Sequence, residues 1–128
     1  MKLLLVMLGG FLGTLCRYGF GIWIPTYKGF PLGTLVINLV GCLFLGWFIT
    51  SVSHRKKIRP EFTFVIGTGF IGSFTTFSTF SVESIHLFQD GHVLLALLYI
   101  LSTTLLGLLL AYLGCQFALP KEEEGDPV

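Results

Sequence analysis

The chain has 128 residues, a length suited to one domain, and 53% hydrophobic against 12% charged residues gives it a mean hydropathy of +0.83. Ordinary soluble domains carry about 25% charged residues, so a water-soluble fold is excluded and an integral membrane protein is expected. The net charge of +1 and the lack of a basic patch interleaved with aromatics outside the apolar runs exclude a nucleic-acid surface.

A membrane-crossing helix needs about 20 apolar residues. Four segments supply them: 3–24, 32–52, 62–88 and 93–119. The links 25–31, 53–61 and 89–92 carry turn or charge signals. One four-span domain over 1–120 is therefore expected, followed by an acidic, proline-containing tail over 121–128 expected to be disordered. Four spans put both termini on one side, with Lys2, Arg55, Lys56, Lys57, Arg59 and Lys121. The other side has Lys28 and, near the end of the first span, Arg17. Basic residues stay in the cytoplasm, so the termini and the 53–61 link are assigned there. No small-x-small cleavage site follows the first apolar run, so a signal peptide is not expected. Cys16, Cys42 and Cys115 show no metal-ligand spacing and read as small packing residues.

In the first span, Gly9 and Gly13 form a small-xxx-small pair that permits close helix approach. Arg17 is expensive at mid-membrane, about 2.5–3.5 kcal/mol on insertion scales, and cheaper near the interface. It is either an interfacial anchor or the positive mouth of an anion path. In the second span Asn38 shares a face with Thr34 and Gly41. Its amide either bonds a neighbouring helix or donates an N–H to a passing anion.

The third span holds Gly67-Thr68-Gly69-Phe70-Ile71-Gly72-Ser73-Phe74-Thr75-Thr76-Phe77-Ser78-Thr79-Phe80. Glycine costs about 1 kcal/mol against alanine in a helix, and Ser and Thr divert backbone hydrogen bonds. A helix broken in mid-membrane is expected. Irregular backbone survives at that depth only inside protein or beside a polar cavity, so an ion site is expected there. Phe77 and Phe80 share a face with Glu83 and Ser84, among the hydroxyls of Ser78, Thr79 and Ser81. Aromatic rings have positive edges that attract small anions. In the fourth span Tyr99, Thr103 and Gly107 form one stripe, either a polar track or hydroxyls bonded back to their own helix. No paired carboxylates, Cys/His cluster or nucleophile–base arrangement points to catalysis.

At these residues the chain resembles the Fluc (CrcB-type) fluoride channel family. The resemblance spans nearly the whole sequence: Gly9-Gly10-x-x-Gly13 with Arg17-Tyr18, then Gly33-Thr34-Leu35-x-x-Asn38-x-x-Gly41, and above all Gly72 through Phe80. It implies an all-α membrane protein of four transmembrane helices, assembled as an antiparallel dimer with two fluoride pores. It also implies that the third helix is broken over Gly72 to Thr75, with a structural sodium ion at the dimer centre held by the main-chain carbonyls of Gly72 and Thr75. Asn38, Phe77, Ser78, Thr79, Phe80, Tyr99 and Thr103 would line the pore, with Arg17 and Glu83 at the vestibule. Gly107 stands where some relatives have a hydroxyl, so the track is expected to be shorter.

The implied activity is passive export of cytoplasmic fluoride across the cell membrane, relieving its toxicity. A protein inserting in both orientations should show little basic bias, yet this one is strongly biased. The bias points to one half of a two-chain pair, completed by a homologue of opposite topology. A small four-span multidrug-type exporter is a second reading, although such chemistry wants a central membrane carboxylate and the first span has none. A non-conducting partner subunit is a third.

Overall fold

The computed structural model describes residues 1–54 and 58–119. Arg55, Lys56, Lys57 and Lys121, which contribute much of the basic bias, and the acidic tail lie outside the described residues. The fold is all-helical, and four of its helical segments are long and apolar enough to cross a membrane. Helix α1 is Lys2–Trp23 and α2 is Leu32–His54. The third crossing is in two pieces. Its first piece, α3 (residues 60–74), is α-helical over Pro60–Thr63, π-helical over Phe64–Ile71 and α-helical again over Gly72–Phe74. Its second piece, α4, is Phe77–Gln89, and α5 (Val93–Ala118) completes the fold.

Two turns set the connections. Between α1 and α2, the N–H of Tyr27 donates to the Phe30 carbonyl at 3.1 Å and the N–H of Phe30 returns to Tyr27 at 2.9 Å. The two central residues, Lys28 (φ 49°) and Gly29 (φ 82°), have the left-handed backbone of a two-residue type I′ turn. After α4, Gly91 at φ 77° lets its own N–H reach the Phe88 carbonyl and that of His92 reach Leu87. This is a Schellman ending, and it turns the chain at once into α5.

Helices pack as two intimate pairs, α2 with α5 and α1 with α3. Both depend on missing side chains. A Cβ on Gly114 would lie 2.8 Å from the Trp47 nitrogen of α2, and one on Gly46 would strike the Ala111 carbonyl. Gly9 and Gly13, both buried, seat α1 against the carbonyls of Val65 and Phe70, so the close-packing reading of this pair holds. Gly69 answers them from α3, resting against Val6 and Gly10.

That use of glycine corrects one expectation. Gly67, Gly69 and Gly72 do not break the helix; they lie in helical backbone. The break comes later, at Thr75 (φ −77°, ψ 155°) and Thr76 (φ −144°, ψ 121°), and overlaps the expected stretch only at Thr75. In lipid, a lost backbone hydrogen bond costs more than the roughly 1 kcal/mol helix penalty of a glycine. The glycines therefore stay helical and give α1 its close approach. Gly41 plays a complementary part on α2, where a Cβ would collide with the Thr75 methyl.

A small core gathers beside the break: Tyr99 and Ala96 are fully buried and Leu87 nearly so, packed by Phe30, Leu35, Phe80 and Leu95. Outward faces are apolar, as Leu4, Met7 and Phe11 on α1 and Leu98, Leu101 and Leu105 on α5 show. They suit a lipid surround, and the chain is a multi-pass membrane protein.

Candidate functional site

The break begins with Thr75. Its N–H and its hydroxyl both donate to the Ile71 carbonyl, at 3.0 and 2.9 Å, closing the last turn of α3. Its extended ψ then rotates its own carbonyl out of the helical direction. The final carbonyls of α3 have no intrahelical partners, and Gly72 is exposed on the surface of the chain.

Thr76, 8% exposed, is clamped by the side chain of Asn38, itself 9% exposed. The Thr76 N–H donates to Asn38 Oδ1 at 2.8 Å, and Asn38 Nδ2 donates to the Thr76 carbonyl at 3.0 Å. Both polar backbone groups of the non-helical residue are thus satisfied by one amide, and that pairing fixes which way the amide faces. Of the two readings of Asn38, interhelical bonding is the one observed; only its second amide hydrogen remains for any other acceptor. The Thr76 hydroxyl accepts from the Thr79 N–H at 3.2 Å and so caps α4, while donating to Thr79 Oγ1 at 3.0 Å. Ser78 is exposed on the same first turn, its hydroxyl 3.4 Å from that of Thr76.

Two cavities flank this clamp, and Thr76 lies in the wall of both. The larger, about 540 Å³, includes Arg17, Thr34, Thr79 and Glu83 in its lining. Arg17 and Glu83, the two residues expected at a vestibule, line this same cavity. Among the described residues no carboxylate lies within ion-pair distance of Arg17, the sole such pair being Lys2–Glu61 at 3.4 Å. The Glu83 carboxylate is occupied differently. Thr34 Oγ1 donates to Oε1 at 2.9 Å and the Tyr99 hydroxyl donates to Oε2 at 2.8 Å.

The second cavity is an open groove of about 290 Å³ between α2, α4 and α5, with Asn38, Phe77, Phe80 and Thr103 on its walls. Phe77 and Phe80 sit 5.8 Å apart, centroid to centroid, and tilted by 44°. Phe77 is 80% exposed in the single chain. Thr103 Oγ1 is buried without a hydrogen-bond partner. Its neighbours are spent: Ser102 donates to the Tyr99 carbonyl and Thr104 to Ile100. The expected polar stripe thus divides. Tyr99 is committed to Glu83, Thr103 is free, and Gly107 lies against Cys42.

Chemically, the arrangement opposes two helix ends. α3 presents carbonyl oxygens and the negative end of its dipole, which suit a hard cation. α4 presents the positive end and the N–H groups of its first turn, which suit an anion. Beside the latter, in the wall of the groove, lie the Phe77 and Phe80 rings, Thr103 and Asn38. Thr34 and Thr76 belong to this site although the sequence reading gave neither a role. Thr76 did carry a signal, a Thr directly before an apolar helical run, the usual N-cap pattern.

Residues 4–115 match the family model described as CrcB-like protein, Camphor Resistance (CrcB). A protein of Oceanobacillus iheyensis named Fluoride-specific ion channel FluC is 46% identical over 125 residues, covering 98% of this chain and 97% of its own. Fluoride-specific ion channel FluC 1 of Desulfitobacterium hafniense is 47% identical over 110 residues, 86% of this chain and 95% of that protein. Fluoride-specific ion channel FluC 2 of Geobacillus kaustophilus is 41% identical over 127 residues and 98% of each chain.

Proposed function

The chain belongs to the CrcB family, and from that premise we propose that it is a fluoride-specific ion channel that lets cytoplasmic fluoride leave the cell down its gradient. The observation that carries this reading is the groove beside the helix break, where an anion-favouring helix start meets the Phe77 and Phe80 rings and an unpartnered Thr103 hydroxyl. Fluoride is small, hard and tightly hydrated, so a pore must replace its water with close donors. Amide N–H, hydroxyl O–H and positive ring edges are such donors. Arg17 raises the local anion concentration in the vestibule, and the hydroxyls of Thr34 and Tyr99 screen the Glu83 carboxylate that shares it. Passage of an ion makes or breaks no covalent bond, so no catalytic residue is assigned.

The groove is open along the side where Phe77 projects, and a second chain would wall it. An antiparallel pair is the arrangement we favour. It also fits a sodium ion between the two breaks. The Gly72 and Thr75 carbonyls of one chain are hard oxygen donors at a negative helix end, but two oxygens do not complete an alkali cation's shell. Two more from the partner chain would bring the donors to four. Bound there, the cation would supply positive charge and a partner for backbone freed by the break.

The basic bias between the two sides supports a fixed orientation with cytoplasmic termini, and hence a partner of opposite bias in place of a second copy of the same chain. The deciding experiment is efflux from liposomes containing the purified chain, read with fluoride and chloride electrodes. Fluoride release without chloride release is the expected result, from the chain alone or once the opposite-bias homologue is added. Absence of release in both cases would sink the channel reading. Terminal tags found on both faces of cells expressing only this chain would sink the two-chain reading.

A further inference from the structure

The α1–α2 turn carries Phe30, a residue with no assigned role, into contact with the pore wall. Its ring meets that of Tyr99 edge-on, with centroids 5.5 Å apart and an interplanar angle of 79°. The Tyr99 ring in turn meets Phe80 at 5.1 Å and 53°, and Phe80 meets Phe77 at 5.8 Å. Tyr99 is fully buried and its hydroxyl is tied to Glu83. Phe80 therefore takes its position from a ring whose other aromatic neighbour is Phe30. We infer that Phe30 is a positioning residue of the pore, setting the Phe80 ring edge through Tyr99.

Two observations separate this from simple turn-building. The turn is closed entirely by backbone: Tyr27 and Phe30 exchange both hydrogen bonds, the Leu32 N–H adds a bond to the Phe30 carbonyl at 2.9 Å, and Lys28 and Gly29 supply the positive φ values. None of these needs the Phe30 side chain. That side chain is instead half-buried against the Tyr99 cluster. A ring edge attracts an anion only when its orientation is held. An ion as small as fluoride is the one most sensitive to a displaced edge, so loosening Tyr99 should harm fluoride more than a larger halide.

The inference rests on the fluoride-channel reading, and the test keeps the two apart. Wild type, Phe30→Ala, Phe30→Leu and Phe30→Tyr are reconstituted under identical conditions, with the partner homologue if wild type needs it. Fluoride and chloride release are measured per folded channel. Losing one aromatic pair corresponds to a change of up to about tenfold. Phe30→Ala and Phe30→Leu should therefore slow fluoride release by about two- to tenfold and narrow the fluoride-to-chloride ratio, while Phe30→Tyr, which keeps the ring, restores both. Should Phe30→Ala fail to fold, Phe30→Leu carries the same readings. Reduced folded yield with an unchanged rate and ratio per channel would make Phe30 a structural residue and overturn the inference. Wild type without fluoride release would instead defeat the functional reading beneath it.

Discussion

Asn38→Leu keeps the branching and heavy-atom count of the side chain and deletes the amide that holds the break. Thr76 is buried, and its N–H and carbonyl both depend on Asn38, at 2.8 and 3.0 Å. A buried polar group left without a partner costs about 1–3 kcal/mol, so the two together destabilise the native break by roughly 2–6 kcal/mol. The lower figure already corresponds to about a thirtyfold fall in the equilibrium constant that favours the intact geometry. Fluoride release from liposomes should fall with it. Asn38→Asp tests the direction of the amide. It keeps an acceptor for the Thr76 N–H but sets a carboxylate oxygen against the Thr76 carbonyl and a negative charge on the groove, so it should do no better than leucine. Release within threefold of wild type for Asn38→Leu would refute the clamp, because it would mean that the break stands without the amide.

Thr103→Val replaces the unpartnered hydroxyl with a methyl of the same shape. A hydrogen bond to an ion is worth about 1.5–3 kcal/mol, so fluoride release should drop tenfold or more while thermal stability in detergent holds or rises slightly. Gly114→Ala should have the opposite profile. Its Cβ would come 2.8 Å from the Trp47 nitrogen and 3.2 Å from the Leu43 carbonyl carbon, and overpacking of this kind costs about 1–3 kcal/mol. The expected result is a lower melting temperature with little loss of rate in the channels that fold. Exchanging sodium for N-methylglucamine should lower the melting temperature of the wild-type assembly; a ligand at a hundred times its Kd stabilises by about 2.7 kcal/mol. A melting temperature indifferent to sodium would remove the cation from the centre of the pair.

Residues out of keeping with an apolar helix were legible in the sequence. Asn38, Arg17 and Glu83 are polar where lipid is expected, and Phe77 and Phe80 stand among hydroxyls. Thr34 and Thr76 were not, for a physical reason. A hydroxyl in a membrane helix usually donates to the carbonyl four residues back, as Ser81 does to Phe77, Ser84 to Phe80 and Thr104 to Ile100. Nothing in a single sequence marks Thr34 as one that bonds elsewhere, and Thr76 is marked only by standing directly before an apolar helical run. The break was placed too early because glycine's local helix penalty is visible in sequence, whereas the close approach of α1 that keeps Gly69 helical is tertiary. Phe30 was hidden by its place in a link, where an aromatic residue gives no sign of reaching the pore wall.

The position of the break has a consequence that an unbroken helix could not produce. In a continuous helix the peptide dipoles run head to tail, and the middle offers neither a free carbonyl nor a free N–H. Two extended residues, Thr75 and Thr76, interrupt the series and create one end of each sign within a few ångströms. Lipid would penalise both ends. Asn38 neutralises the exposed peptide of Thr76, the Thr76 hydroxyl takes one N–H of α4, and Thr75 spends its own hydroxyl on α3. The carbonyls of Gly72 and Thr75 on one side, and the first N–H groups of α4 on the other, are what this local chemistry leaves over. A cation and an anion are the complementary ligands, so the proposed sodium site and the fluoride path would both follow from one backbone interruption. It follows that substitutions which straighten the helix should weaken both together, whereas Thr103→Val should affect the anion alone.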